Sequence, residues 1–340
     1  MMIKSLLVPD LTPTQLSDVM SLYSQTEVVS MEQYPGFAQA SEPEVAIQYL
    51  LCYRGEKLIG YASVKIKKRV FATVLFGPLV QDASDYEDAC AALVSACRRR
   101  GVLLVKIFPP YMSAENEAAI SSFTKIKYER SDTDFNWCSP KLSLDPTMDE
   151  LLKGFSENHR RNVKKAQKLN LTVTEINNTA DIDIFSEQFA KMYESRGLPV
   201  SVEQTKQSFQ NIFAFHRKHD TGVFLAVRSE TEGIVGGLCI NYEGNAAFYH
   251  KGYSHPDHRS LPVNHIAFYE AIRLAKERGM KYFDFCGYGL NLKEDDQVNA
   301  INRFKDGFGG TLVYYPQTLT IYTTPFSKLL FNMYQRFRKS

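Results

Sequence analysis

Eleven residues near the end of the chain, Ala300-Ile301-Asn302-Arg303-Phe304-Lys305-Asp306-Gly307-Phe308-Gly309-Gly310, hold its densest set of groups able to do chemistry. Glycines let backbone approach a ligand closely, and Phe304 and Phe308, four apart, share one face of a helical turn. Lys305 then points elsewhere, free to meet a negative charge. The same segment also reads as a helix closed by Gly309-Gly310, with both phenylalanines in the core and Arg303 and Lys305 solvated. Composition alone leaves both readings standing.

A second stretch, Ser156 to Lys168, places Arg160, Lys164 and Lys168 in one helical row and Arg161 and Lys165 in another, with no acid between them. Such a ridge is either a solvated face or a phosphate contact. His250, His255, His258 and His265 lie close in sequence, but no HxH or HxxxH pair shares a helix face, so they read as loop or surface residues and no metal site is expected.

The elements that must position these groups follow from periodicity. A helix is expected from about Thr12 to Glu27, strands over 46–54, 57–66 and 70–76, a helix over 86–100 and a buried strand over 102–108. The basic tip Lys65, Lys67, Lys68 and Arg69 reads as solvated. Pro140 and Pro146 border a short link that marks a domain boundary, giving domains 1–145 and 146–340. Beyond it the pattern predicts a strand at 171–176, helices at 181–196 and 202–219, strands at 223–228, 234–242 and 246–253, a helix at 263–278 and a strand at 282–285. The second half thus echoes the helix and strand order of the first, an α/β (α+β) arrangement.

A chain of 340 residues with 44% hydrophobic side chains supports two cores. A net charge of +2, from 40 basic and 38 acidic residues, excludes a dedicated nucleic-acid binder and leaves polyanion contact to local patches. The 6 cysteines show no CxxC spacing and read as reduced, buried thiols. No apolar run approaches the ~20 residues of a spanning helix, and no secretory leader is visible, so a cytoplasmic protein is expected.

The run from Tyr253 to Asn264, followed by a helix, resembles the centre of a GNAT-type acyltransferase domain. That superfamily holds the coenzyme A pyrophosphate on backbone N–H groups through Arg/Gln-x-x-Gly-x-Gly/Ala. Here the positions read Arg259-x-x-Pro262-x-Asn264; proline has no N–H, and Asn264 adds a side chain where backbone should approach. A coenzyme A donor is therefore disfavoured and no cofactor is expected.

Several segments in order resemble the FemABX family of aminoacyl-tRNA-dependent peptidyltransferases: Phe37-x-Gln39, Phe76-Gly77-Pro78, Arg160/Arg161 through Ala166, Met192 to Gly197, Tyr282 to Gly287, and above all Phe304-Lys305-x-Gly307-Phe308-Gly309-Gly310. The resemblance implies two tandem GNAT-like domains with a cleft between them and no long coiled-coil arm. It implies a metal-free transferase taking an aminoacyl ester from tRNA and a peptide amine from a nucleotide- or lipid-linked muropeptide precursor of peptidoglycan. The tryptophan that often follows Phe-x-Gln is missing, and Phe108 stands where an acid often precedes the proline after the first domain's last strand.

Aminolysis needs a neutral amine and a holder for the oxyanion. By resemblance Lys305 takes the oxyanion or the tRNA 3′ end, and Phe304 packs on substrate. Asp284 is either a proton acceptor or a strand-end residue satisfied by backbone N–H groups. Arg160, Arg161, Lys164, Lys165 and Arg196 are expected on phosphates, with Lys251, Tyr253 and Arg303 beside them. The C-terminal stretch from Phe326 to Lys339 puts Phe326, Leu330, Met333 and Phe337 at helical spacing with Lys328, Arg336, Arg338 and Lys339 outside. It either rests on the inner face of the membrane or docks on the second domain. Rival functions are a GNAT-like N-acyltransferase using acyl-coenzyme A or another thioester in cell-surface polysaccharide or lipid biosynthesis, and a non-catalytic binding module on a degenerate transferase fold.

Overall fold

The computed structural model describes residues 3–26, 29–110, 120–131, 138–290, 292–294, 296 and 298–339, with backbone alone at 332 and 334–339. In chain order the elements are β1 (Ile3–Val8), α1 (Pro13–Gln25), α2 (Phe37–Ser41), β2 (Ala46–Arg54), β3 (Lys57–Lys67), β4 (Phe71–Leu75), β5 (Leu79–Val80), α3 (Tyr86–Arg99), β6 (Leu104–Phe108) and β7 (Glu129–Ser131). Then come β8 (Cys138–Ser143), α4 (Met148–Gly154), α5 (Glu157–Lys168), β9 (Thr172–Glu175), α6 (Thr179–Glu194), α7 (Val202–His219), β10 (Gly222–Ser229), β11 (Gly233–Glu243), β12 (Ala246–Ser254), α8 (Val263–Glu277) and β13 (Tyr282–Asp284). The chain closes with α9 (Val298–Asp306), β14 (Thr311–Tyr314), β15 (Thr318–Tyr322) and α10 (Pro325–Lys339).

Side-chain caps fix where the helices begin. Thr12 and Gln15 form a capping box at α1, as Thr147 and Glu150 do at α4, and Ser156, Asn178 and Ser201 each accept a backbone N–H at the start of α5, α6 and α7. The expected end of the first helix at Glu27 lies outside the described residues.

The architecture is α+β with two mixed sheets. One unit takes the chain to Trp137 and again from Tyr314, and the other takes Cys138–Val313. The first unit's sheet runs β1-β2-β3-β4-β6-β15-β7, with β5 on β3; the second runs β14-β8-β13-β12-β11-β10-β9. This differs from the boundary expected at the Pro140–Pro146 link. Pro140 lies inside β8, which pairs antiparallel with β13 from Ser143↔Tyr282 to Lys141↔Asp284, so the stretch is a strand of the second sheet. Five strands escape the sequence reading, β1, β5, β7, β14 and β15. β15 inserts between β6 and β7, with Ile321 opposite Val105 and Leu319 opposite Arg130, and carries the chain end back to the first unit.

In that unit α10 packs by Phe331, whose ring meets Phe71 at 5.5 Å and Tyr322 at 6.0 Å. Docking onto the second domain is therefore corrected: β15 fixes where the helix starts. Among the described residues no helix is long and apolar enough to cross a membrane.

The second unit's core is built from Val163 and Ala166 of α5, Leu225 and Val227 of β10, Ile272 and Ala275 of α8, and Phe283, Phe285 and Phe308. Its central feature is a parallel pair that ends early. β12 and β13 match at Ala246↔Tyr282, Ala247↔Phe283 and Phe248↔Asp284, after which β12 continues through Tyr249–Ser254 while β13 stops. The unpaired length of β12 leaves an opening at the sheet's centre, where ligands of open α/β sheets collect.

Candidate active site

A cavity of about 320 Å³ occupies this region of the second unit, lined by Met192, Arg196, Tyr249, Gly252, Tyr253, Ser254, Asn264, Phe268, Ala300, Ile301, Phe304 and Lys305. A neighbouring hollow of about 260 Å³ lies at the start of α8, lined by Asn162, His258, Arg259, Pro262, Asn264, His265 and Phe304 among others. Phe304 and Asn264 belong to both.

Aromatic packing holds α9 against this opening. Phe308 stacks on Phe285 at 5.1 Å and meets Phe155 edge-on at 5.0 Å, while Phe304 meets Phe268 at 5.6 Å. Phe304 and Phe308 are themselves 5.3 Å apart, on one face as their spacing predicts. His159, from the basic-looking α5, reaches across: its Nε2–H donates to the Phe304 carbonyl at 2.9 Å and its Nδ1 accepts from the Ser156 hydroxyl at 3.0 Å. Burial lowers its pKa, consistent with this neutral pairing. A Cβ on Gly307 would lie 2.1 Å from the His159 ring, so the glycine is demanded by contact, whereas Gly309, at φ +80°, ends the helix in the left-handed region.

Lys305 leaves the aromatic face, as the spacing implies, but it is 5% exposed rather than solvated. Its Nζ donates to the carbonyls of Cys286 and Gly287, the latter at 2.5 Å. Burial holds its pKa below the ordinary lysine range, against an opposing pull from the Cys286 and Asp284 side chains. Both carbonyls sit in an elbow of left-handed backbone, φ +53° at Cys286 and +40° at Gly287. Asp284 ties that elbow down. Its Oδ1 accepts from the Cys286 N–H at 2.8 Å and from the Ser139 hydroxyl.

Asp284 is 2% exposed and is not among the cavity-lining residues. Burial raises its pKa, and the Ser139 hydrogen bond opposes the rise. Of the two roles read from sequence, the geometry matches the residue satisfied by a backbone N–H.

The remaining expected site residues divide. Arg196 and Tyr253 line the cavity, although the buried Tyr253 hydroxyl finds no hydrogen-bond partner among the described residues. Lys251 does not line it; its Nζ lies over the rings of Phe189 and Phe209, at 5.9 and 5.8 Å. Arg303 is exposed on α9, outside both hollows.

The ridge on α5 is not one functional row. Arg160 donates to the carbonyls of Phe155 and Lys153, the latter at 2.9 Å, and so caps the preceding helix. Arg161 donates to Asn158 at 3.0 Å, Lys165 reaches the Ser260 carbonyl at 3.2 Å, and Lys164 is exposed. The helix buries His159, Val163 and Ala166, a face that the charge pattern conceals.

The histidines also differ from the loop reading. His265 sits on α8 with its ring 4.7 Å from that of His159, and its buried Nε2 has no hydrogen-bond partner among the described residues; burial, and next the His159 neighbour, pull its pKa down to about 4. Among the described residues no three His, Cys, Asp or Glu side chains are grouped to hold a metal. Tyr249, Phe268, Met192 and Ile301 are lining residues that sequence reasoning missed, since apolar side chains on a strand and three helices carry no local signal of a shared cavity.

Residues 153–297 match the family model described as an acetyltransferase (GNAT) domain. A lipid II:glycine glycyltransferase of Staphylococcus haemolyticus (strain JCSC1435) is 27% identical over 139 residues, 39% of this chain and 32% of that protein. The match thus spans about a third of that relative's length. Among solved structures, FemX superposes with a TM-score of 0.78 at 16% identity, covering 96% of this chain and 99% of its own. A tandem GNAT protein from the clavulanic acid biosynthesis pathway gives 0.59 at 14% identity, over 95% and 99%. The fold is that of tandem GNAT-like proteins, as expected.

Proposed function

From the premise that this chain is FemX-like, a GNAT-like protein distantly similar to lipid II:glycine glycyltransferases, we propose that it is an acyltransferase moving an amino acid from aminoacyl-tRNA to the peptide amine of a peptidoglycan precursor. The reaction takes place on the cytoplasmic side, where charged tRNA is found.

One observation carries the reading. Lys305 lines the cavity with two of its three ammonium N–H groups held by the Cys286 and Gly287 carbonyls, which leaves the third to donate. In aminolysis the precursor's neutral amine attacks the ester carbonyl, the C–N bond forms, and the tetrahedral oxyanion takes the third N–H of Lys305 as a charge-assisted bond. Collapse breaks the C–O bond to the ribose, and the proton lost by the amine balances the one gained by the ribose oxygen. The Lys305 ammonium is not consumed. Arg196 meets an anionic part of either substrate, and Phe304 packs on the aminoacyl group. Asp284 acts as a positioning residue through the elbow that holds Lys305.

The test is incubation with a labelled mixture of charged tRNAs and nucleotide- or lipid-linked muropeptides, reading product mass. A mass gain of one aminoacyl residue on the precursor supports the reading, and unchanged precursor with all donors removes it.

A thioester-dependent N-acyltransferase is the second reading, favoured by the match of residues 153–297 to the GNAT domain model. Against it, Pro262 stands at the start of α8 with no N–H for a pyrophosphate. Saturable coenzyme A binding by calorimetry would favour this second reading.

A further inference from the structure

The apolar stripe read on α10 is displaced from the face that docks. Ser327 is buried against Thr323 and Thr324, and Phe331 packs on Phe71 and Tyr322, so these residues fix the inward face. Phe326, Leu329 and Met333 then point out, 62%, 54% and 46% exposed, and at spacings of three and four they form one row. Phe326 is the most exposed large hydrophobic among the described residues. Scattered single apolar residues need no explanation, but a row on one helix marks an interaction surface.

Charge selects the occupant. From Pro325 to Lys339 the sequence holds Lys328, Arg336, Arg338 and Lys339 and no acid, although Lys328 pairs with Glu129 of β7. Phe71, against which Phe331 packs, lies two residues after the exposed stretch Lys67–Arg69, in which Lys67 also pairs with Glu42 at 3.4 Å, so a second basic segment adjoins the helix. Basic residues beside an exposed apolar row are the two signals that together hold a peripheral protein on acidic lipid; either alone binds weakly.

We propose that α10 and the Lys67–Arg69 turn form a membrane-docking surface that seats the first unit on an anionic lipid bilayer. The apolar row enters the headgroup boundary and the cations meet acidic headgroups. The surface is independent of the acyl donor used, so it stands or falls apart from the proposed reaction.

The experiment is co-sedimentation of the full chain with phosphatidylcholine vesicles, with and without a third of phosphatidylglycerol. The wild type is expected to pellet with the acidic vesicles only and to be released as salt rises. The triple variant Phe326→Ser, Leu329→Ser, Met333→Ser, confirmed folded by an unchanged melting temperature, should bind about tenfold more weakly. Arg336→Gln with Arg338→Gln and Lys339→Gln should weaken acidic-vesicle binding likewise. Equal pelleting of wild type and the apolar variant overturns the proposal, as does wild type that ignores acidic vesicles. A concentration-dependent dimer abolished by the apolar variant also overturns it, by giving the row to a second copy.

Discussion

Among the described residues each unit buries one lysine to 5% exposure, and the two are held in opposite ways. Lys65, on β3, pairs with Glu32 at 2.9 Å and also with Glu42; burial alone would lower its pKa, but the two carboxylates outweigh it and raise it. Lys305, on α9, donates to two carbonyl oxygens, and burial outweighs the pull of the nearby Cys286 and Asp284 side chains. A cation neutralised by two acids is a structural tie. A buried cation held by dipoles keeps its field for an incoming anion, which supports the role proposed for Lys305.

The parallel strand pairs differ in the same sense. In the first unit β4 and β6 stay in register along all of Phe71–Leu75, while β12 outruns β13 beyond Phe248. The β4–β6 ladder stays paired along its length, whereas β12 loses its partner in the region where Lys305 lines the cavity.

Substitution should separate the two lysines. Lys65→Met takes the lysine from Glu32 and leaves Glu42 only the exposed Lys67 at 3.4 Å, and should cost about 3 kcal/mol of stability in urea unfolding, the lower end for a broken buried pair because both acids are partly exposed. Lys305→Met relieves the burial of a charge but takes the donor from the Cys286 and Gly287 carbonyls; the two effects oppose, so stability should change by no more than about 1 kcal/mol. Equal losses would erase the distinction. Gly307→Ala pushes a Cβ into the His159 ring and should cost about 1–3 kcal/mol by the same measurement.

The second unit also holds the two histidines pulled down to about 4 by burial, His216 and His265. Between about 6.5 and that value the unfolded chain binds protons that the folded chain does not, so stability should be full above pH ~6.5 and fall as the medium is acidified toward pH 4. Urea midpoints across that range should drop for wild type and drop about half as much with His265→Gln, since His216 remains. Asp284→Asn keeps an oxygen for the Cys286 N–H and should lower turnover only about tenfold, with KM little changed, the pattern of a positioning group.

How much of this was legible follows one rule: local spacing was readable, partners distant in sequence were not. The segment Phe304 to Gly310 announced itself through glycines and aromatics in close sequence, and its two faces came out as spaced. Lys305 was placed by resemblance, but its burial was hidden, because the carbonyls that hold it come from a left-handed elbow at Cys286-Gly287 that no side chain signals. Gly307 could be read only as a flexible or capping residue, since the ring that demands it belongs to His159. The α5 ridge misled because its charges are near in sequence while the capping of Phe155 by Arg160 and the packing of His159 are tertiary. β15 was missed because its five residues pair with strands more than 180 positions earlier.

The most direct measurement is single-turnover aminoacyl transfer from charged tRNA to the muropeptide, run with wild type, Lys305→Met and Lys65→Met side by side on protein shown to be folded. Loss of one oxyanion donor predicts a rate about 10²–10³-fold lower for Lys305→Met, with Lys65→Met close to wild type. Transfer by Lys305→Met at the wild-type rate, or an equal loss in both variants, would contradict the account.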